Sequence, residues 1–216
     1  IAVVQVELIQ GVSGVRAIPE TTIKYLQTNR EKYGYLLLVD EVQTGMFRTG
    51  LFARSLLYEL KPDLLVLGKG TSDMMFPFSI VQYTDSIQQK LNALESKLIQ
   101  EIQEKYNYPV GYRTVLNVLH KAEEMQLEEH VIKSEKLLKN LLCKRLASCK
   151  SVRDVRVFGL LIGIELNDTN WPQSWFRKQL SLLYISSMFK HSSCPVFVSF
   201  WKIFIKEISL KLLLIT

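Results

Sequence analysis

At 216 residues the chain is long enough for one large domain, or for one domain and part of another. Hydrophobic residues make up 48% and charged residues 22%, a globular mix without the signature of a disordered segment. The formal net charge of +6 comes from 27 basic and 21 acidic residues. The basic ones interleave with glutamates along stretches such as Lys121 to Arg145, which reads as a solvated helix face and not as a nucleic-acid stripe.

The apolar runs stop short of a membrane span, and no secretory leader is visible. Cys143, Cys149 and Cys194 are odd in number and lack metal or redox spacing, so reduced thiols and a cytoplasmic setting are expected. His120, His130 and His191 are dispersed, and no metal site is expected. The chain opens on Ile1 within a strand-like run, IAVVQVEL, which implies a natural start further upstream.

In chain order, Ala2 to Leu8 reads as a strand, and Pro19 to Tyr33 as a helix with Pro19 in its first turn and Gly34 breaking it. Tyr35 to Val39 is a fully apolar strand ending at Asp40. Leu51 to Leu60 has a short helical pattern closed by Lys61-Pro62-Asp63, and Leu64 to Leu67 is a second buried strand ending at Gly68-Lys69-Gly70. Phe78 to Tyr83 is a further strand. Apolar strands separated by helical segments predict an α/β fold, with a parallel sheet covered on both faces.

Beyond Asp85 the pattern turns helical, over Ser86 to Lys105, Tyr112 to His120 and Glu123 to Ala147. In the last of these Leu127, Val131, Leu138 and Leu142 form a core-facing stripe. Val152 to Leu166 reads as two strands joined near Gly159, Pro172 to Leu180 as a helix and Pro195 to Phe200 as a strand. This return to strands predicts a second, smaller domain starting between Met125 and Ser151. Trp201 to Thr216 carries no clear capping or turn signal.

Asp40 and Lys69 stand at the carboxyl ends of two apolar strands, 29 residues apart, a separation that fits one strand–helix–strand unit. Open α/β sheets bind ligands at such strand ends. Taken singly, an Asp there is a cap or turn residue and a Lys is an exposed cation.

The two sit inside a longer string, LLLVDEVQTGMFRTG followed by KPDLLVLGKG, which resembles the signature of the class III pyridoxal-phosphate-dependent aminotransferases. The resemblance implies the type I fold of these enzymes and a homodimer with active sites at the subunit interface. Its mostly parallel large-domain sheet would have helices on both faces and be followed by a small α+β carboxyl-terminal domain. It assigns residues 1–124 to the cofactor-binding large domain, 125–200 to the small domain, and 201–216 to an irregular or truncated tail. It implies pyridoxal 5'-phosphate as cofactor, with Lys69 as the Schiff-base lysine and Asp40 as the carboxylate partner of the pyridine nitrogen. Val42 resembles the aliphatic residue packed on the ring face, and Gln43 the amide near the ring hydroxyl. The substrates implied are a small amino donor and a 2-oxo acid, with neither nucleic acid nor membrane as partner.

Upstream, Glu7, Gln10 and Gly11 agree with a further family segment, while Leu8 replaces its proline and Val12 its second glutamate. In relatives acting on omega-amino substrates that glutamate pairs with a gating arginine, so the gate does not carry over. VRVFGLLIGIEL resembles the family's small-domain strand pair. The glycine-rich stretch expected after the lysine is replaced by Thr71 to Pro77. The family's phosphate cradle, the threonine-rich segment near Tyr106 to Tyr112 and a substrate-binding arginine after Trp201 are not recognisable. Accordingly the expectation is an aminotransferase segment, inactive by itself. The alternatives are a non-catalytic or interaction remnant of the fold, and a family aminomutase or decarboxylase.

Overall fold

The computed structural model describes residues 2–72, 77–94 and 97–167. The helix expected at Pro172 to Leu180, the strand at Pro195 to Phe200 and the tail from Trp201 lie outside the described residues, as does Cys194.

The central sheet has four strands in the order β1 (Val3–Val6), β4 (Leu36–Asp40), β5 (Leu64–Leu67) and β6 (Ile80–Tyr83). A small antiparallel pair, β2 (Ile9–Gln10) and β3 (Arg16–Ala17), lies between β1 and the first helix in sequence. The β1–β4 and β4–β5 pairings are parallel, with Val6 opposite Val39 and Asp40 opposite Val66. β6 runs antiparallel to β5, so the sheet is mostly and not wholly parallel. The reason is connection length. Only 12 residues separate Leu67 from Ile80, near the minimum for a parallel crossover, and the chain turns back instead.

Helix α1 (Glu20–Tyr33) forms where the pattern places it. Pro19 precedes it with extended backbone, Glu20 sits in the first turn and Arg30 and Lys32 in the last, all favourable to the helix dipole. Gly34 ends it at φ 66°, donating its N–H to the Arg30 carbonyl, a left-handed cap that glycine adopts without strain. The helix buries Ile23 against Leu8, Leu37, Val39 and Leu60, which form the main core. That core lies on one face of the sheet. The opposite face, carrying Gln5, Leu38, Asp40, Val66 and Val81, is more open, and Val81 is 52% exposed.

Between β4 and β5 the expected helix over Leu51 to Leu60 is a 3₁₀ helix at Arg54–Tyr58, ending at Glu59 in a left-handed conformation. The 23-residue connection spends its first half on an irregular loop, leaving too little chain for a full helix. The single helix expected over Ser86 to Lys105 is divided into α2 (Asp85–Ala93) and α3 (Lys97–Lys105). α4 (Pro109–Glu124) is longer than expected, because Pro109 occupies the first helical turn, where its missing N–H costs nothing. α5 (Leu127–Leu146) is separated from α4 at Gln126, whose φ of 48° breaks a sequence with no glycine or proline to announce it. Val131, Leu138 and Leu142 are buried on α5 as the stripe predicts.

β7 (Val152–Phe158) and β8 (Leu161–Leu166) form an antiparallel hairpin. Its turn uses Gly159 at φ 58°, where a Cβ would lie 2.7 Å from the Arg48 carbonyl oxygen. Ile1–Leu166 groups as one compact unit, so α5 and this hairpin pack within it. Cys143 and Cys149 are free thiols. Among the described residues no helix is long and apolar enough to cross a membrane, and no group of His, Cys, Asp and Glu could hold a metal ion.

Asp63 ties the sheet to its helix. Its carboxylate accepts from the Leu37 N–H at 2.8 Å and from Arg30 at 3.1 Å. Its main-chain N–H donates to the Leu37 carbonyl at 2.8 Å. Removing the carboxylate strands a half-buried peptide N–H. Asp63→Ala is therefore expected to lower stability by about 2 kcal/mol in urea unfolding. A loss below about 0.5 kcal/mol, the usual range for a surface change, would show that water replaces the carboxylate at no cost.

Candidate functional site

Asp40 ends β4 on the open face of the sheet. Its Oδ1 accepts from the Val42 N–H at 3.0 Å and its Oδ2 from Gln5 Nε2 at 3.3 Å. Two neutral donors orient the carboxylate and leave acceptor capacity for a third, since a carboxylate offers about four lone-pair sites. Lys69 follows β5 by two residues and is exposed. Asp40 pairs with Val66 across the parallel ladder. Three residues then carry the chain to Lys69, so the two backbones are separated by about 10 Å at the same edge of the sheet.

The loops bearing these residues are locked together by glycine. A Cβ on Gly45 would lie 2.7 Å from Leu67 Cδ2 and 2.8 Å from the Glu41 carbonyl oxygen. One on Gly70 would lie 2.6 Å from Met46 Cβ, and one on Gly68 3.2 Å from Val42 Cγ1. The segment after Asp40 thus rests on the segment around Lys69 at three successive points where a side chain would intrude. Glu41 adds a ladder bond, its N–H donating to the Val66 carbonyl at 2.8 Å. Gln43 lies over the β2–β3 turn, where a Cβ on Gly11 would meet the Gln43 amide at 2.2 Å. Val42 and Gln43 therefore stand between Asp40 and its neighbouring elements, each half-buried. All four residues singled out by sequence belong to one edge of the fold.

Backbone strain concentrates there. Lys69 has φ 53°, and Met46 and Phe47 have φ 51° and 64°. Left-handed conformations cost a non-glycine residue about 1–2 kcal/mol each and persist where the surrounding structure imposes them. Flanking Lys69 with Gly68 and Gly70 permits the tight turn without adding further Cβ clashes.

Two further features rest on partners distant in sequence, which no local pattern announces. Glu41 is fully buried, 0% exposed, accepting from Thr44 Oγ1 at 2.5 Å and from the Ser55 N–H at 2.7 Å. The turn at Gly11 to Val15 is held from the hairpin by Arg156, whose Nε donates to the Gly14 carbonyl at 3.0 Å. Arg156 also pairs with Asp154 and with Glu165, the latter at 2.8 Å, and Arg16 reaches Glu165 at 2.6 Å. The hydrogen bond from Arg156 holds the Glu165 carboxyl below its ordinary range against the opposing effect of burial, aided by the charges of Arg16 and Arg153. A depressed carboxylate stabilises the fold above its unfolded value, and that contribution is lost as the pH falls through its lowered folded value. The clasp therefore holds at neutral pH. Val12, at the tip of the clasped turn, is 93% exposed.

The family model described as aminotransferase class-III matches residues 1–182. The LysW-aminoadipate semialdehyde/glutamate semialdehyde transaminase of Sulfurisphaera tokodaii is 36% identical over 169 residues, covering 76% of this chain and 41% of the relative. The mitochondrial ornithine aminotransferase of Drosophila melanogaster is 33% identical, over 75% of this chain and 36% of the relative. An alanine/serine racemase of Pyrococcus horikoshii is 33% identical over 79% of this chain and 34% of the relative. Among solved structures, a Bacillus anthracis aminotransferase aligns with TM-score 0.71 at 27% identity, over 85% of this chain and 42% of that one. Plasmodium falciparum ornithine delta-aminotransferase aligns at 0.65 and 28% identity, over 77% and 42%. The chain spans about two fifths of the length of the relatives it matches.

The strain at position 69 can be measured without any ligand. Lys69→Gly is expected to be more stable than Lys69→Ala by about 1 kcal/mol in chemical unfolding, because glycine adopts the left-handed conformation freely. The lost flexibility of the unfolded glycine chain offsets part of that gain. Equal or lower stability of the glycine variant would show that the turn imposes no such conformation.

Proposed function

The chain belongs to the class-III aminotransferase family, and from that premise we propose that it is the lysine-bearing part of a transaminase moving an amino group from an amine or amino acid to a 2-oxo acid. The observation that carries the reading is the glycine-mediated interlock that fixes the Asp40 and Lys69 loops at one sheet edge. Pyridoxal 5'-phosphate would supply an aldehyde for Schiff-base chemistry and a ring that accepts electrons. The donor set fits the ring end of that group: a carboxylate oriented by two neutral donors, an amine on the neighbouring strand end, an aliphatic side chain and an amide between them.

Within this reading Asp40 would hold a proton at the pyridine nitrogen, since a carboxylate beside a pyridine favours its charged form. Lys69 would hold the cofactor through its Nζ, be released when the substrate's amine takes its place, and then carry the alpha proton on that freed Nζ. Val42 would pack on the ring face and Gln43 would orient the ring hydroxyl. Residues 1–124 would belong to the cofactor-binding large domain and 125–200 to the small domain, in a homodimer of cytoplasmic location. The relatives include semialdehyde and ornithine transaminases, so the amino donor is left at the class level. The racemase relative supports a second reading, in which the same lysine and carboxylate serve a different reaction of the substrate alpha carbon.

Borohydride reduction of the complete gene product with added pyridoxal phosphate is expected to place the cofactor adduct on Lys69 in peptide mapping. An adduct on Lys61 or Lys90 would overturn the assignment.

A further inference from the structure

Among the described residues Glu41 is the one carboxylate that is fully buried. A buried carboxylate is costly unless its oxygens are hydrogen-bonded, and both are. Oε2 accepts from the hydroxyl of Thr44, three residues on, and Oε1 from the peptide N–H of Ser55, at the head of the 3₁₀ helix. The Glu41 main chain is bound as well, its N–H to the Val66 carbonyl and its carbonyl to the Gly45 N–H, each at 2.8 Å. Four bonds thus close on one residue, from β5, from the loop itself and from the next helix. The Thr44 carbonyl is engaged in turn by Thr49 Oγ1 at 3.0 Å.

The two residues that this node holds in place are those on either side of it. Asp40 precedes Glu41, and Val42 follows. The Val42 N–H is the 3.0 Å donor to Asp40 Oδ1, and the Val42 side chain packs on Gly68, next to Lys69. A shift of the Glu41 peptide would therefore move the donor that aims the Asp40 carboxylate, and the side chain that abuts the lysine turn, in one motion. An apolar residue of similar volume would avoid the desolvation cost but could not accept from the buried Ser55 N–H, so the loop would not be held to Ser55.

We infer that Glu41 is a positioning residue: its buried carboxylate anchors the Glu41–Gly45 loop to Ser55, so that Asp40 and Val42 are set against the pyridine ring and Lys69. The inference rests on the cofactor reading proposed above and adds the residue that sets its geometry. What acts is the hydrogen-bond geometry. Glutamine can accept from Ser55 through its oxygen and donate to Thr44 through its amide nitrogen, whereas alanine can do neither.

The test uses the complete gene product loaded with pyridoxal phosphate, comparing wild type, Glu41→Gln, Glu41→Ala and Thr44→Val. Three readouts are taken: the adduct site after borohydride reduction, the pH at which the visible absorbance of the bound cofactor changes, and kcat and KM per folded molecule. Glu41→Ala is expected to remain labelled on Lys69, to shift the pH of the absorbance change, and to lose kcat by roughly 10- to 100-fold with KM for the donor little changed. Glu41→Gln is expected to restore the wild-type pH profile and most of kcat. Should Glu41→Ala fail to fold, Thr44→Val, which removes one of the two anchors, is expected to shift the same readouts in the same direction by a smaller factor. A lowered melting temperature with unchanged pH profile and kcat in Glu41→Ala, or in Thr44→Val where the alanine variant does not fold, would overturn the inference and leave Glu41 a scaffold residue. A Glu41→Gln variant as impaired as alanine would overturn it too. Wild type that takes no label on Lys69 would instead sink the cofactor reading, and the inference with it.

Discussion

The contact on which the site depends is between two loops, where the segment following β4 settles into the bare backbone of the segment following β5. Parallel pairing with Asp40 opposite Val66 brings the loops to one edge, but register alone does not set how closely they approach. Gly45, Gly68 and Gly70 permit the close approach, each standing where a Cβ would meet Leu67, Val42 or Met46. A packed interior resists even one extra methyl group. Close approach therefore fixes the separation of the two strand ends as firmly as the ladder fixes their register. The cost is local: three non-glycine residues, Met46, Phe47 and Lys69, are held in left-handed backbone. Strain collected at a strand-end lysine and at the loop facing it is what a preorganised site accumulates.

Around this contact the remainder of the described chain acts as support. Asp63 and Arg30 tie α1 to the beginning of β5, and the Leu37, Val39 and Leu60 core holds the sheet from its covered face. The hairpin reaches back through Arg156 to the Gly14 carbonyl and through Gly159 to Glu135 and the Arg48 segment. Gly11, under the Gln43 amide, lies at the foot of the turn that Arg156 holds. Movement of the hairpin would thus be felt at Gln43 through one hydrogen bond and one close contact.

Much of this is legible in the sequence, for physical reasons that differ by element. Strands β4 and β5 are apolar on both faces and bounded by turn residues, so period and punctuation agree. Asp40, Val42, Gln43 and Lys69 sit in a motif with fixed spacing, and the fold brings all four to one edge. The antiparallel β6 was hidden, since strand direction is decided by the length and path of a connection and not by residue type. The 3₁₀ helix at Arg54–Tyr58 carries an apolar pattern that serves a short or a full helix equally well. The left-handed Gln126 has no glycine to mark it. Glu41 was present in the motif as a letter only. Its complete burial depends on Ser55, 14 residues away, and no local pattern encodes such a partner.

In the proposed reading the fixed loops would aim Asp40 at the ring nitrogen of pyridoxal phosphate, with Lys69 beside its aldehyde carbon. Nitrogen-15 NMR of the complete protein, loaded with pyridoxal phosphate labelled at the ring nitrogen, reads that contact directly. A pyridinium-type shift is expected that persists well above the pH at which the free cofactor's ring loses its proton, and Asp40→Asn is expected to replace it with a neutral-pyridine shift. A neutral-pyridine shift in the wild type at neutral pH, or a shift indifferent to Asp40→Asn, would contradict that reading.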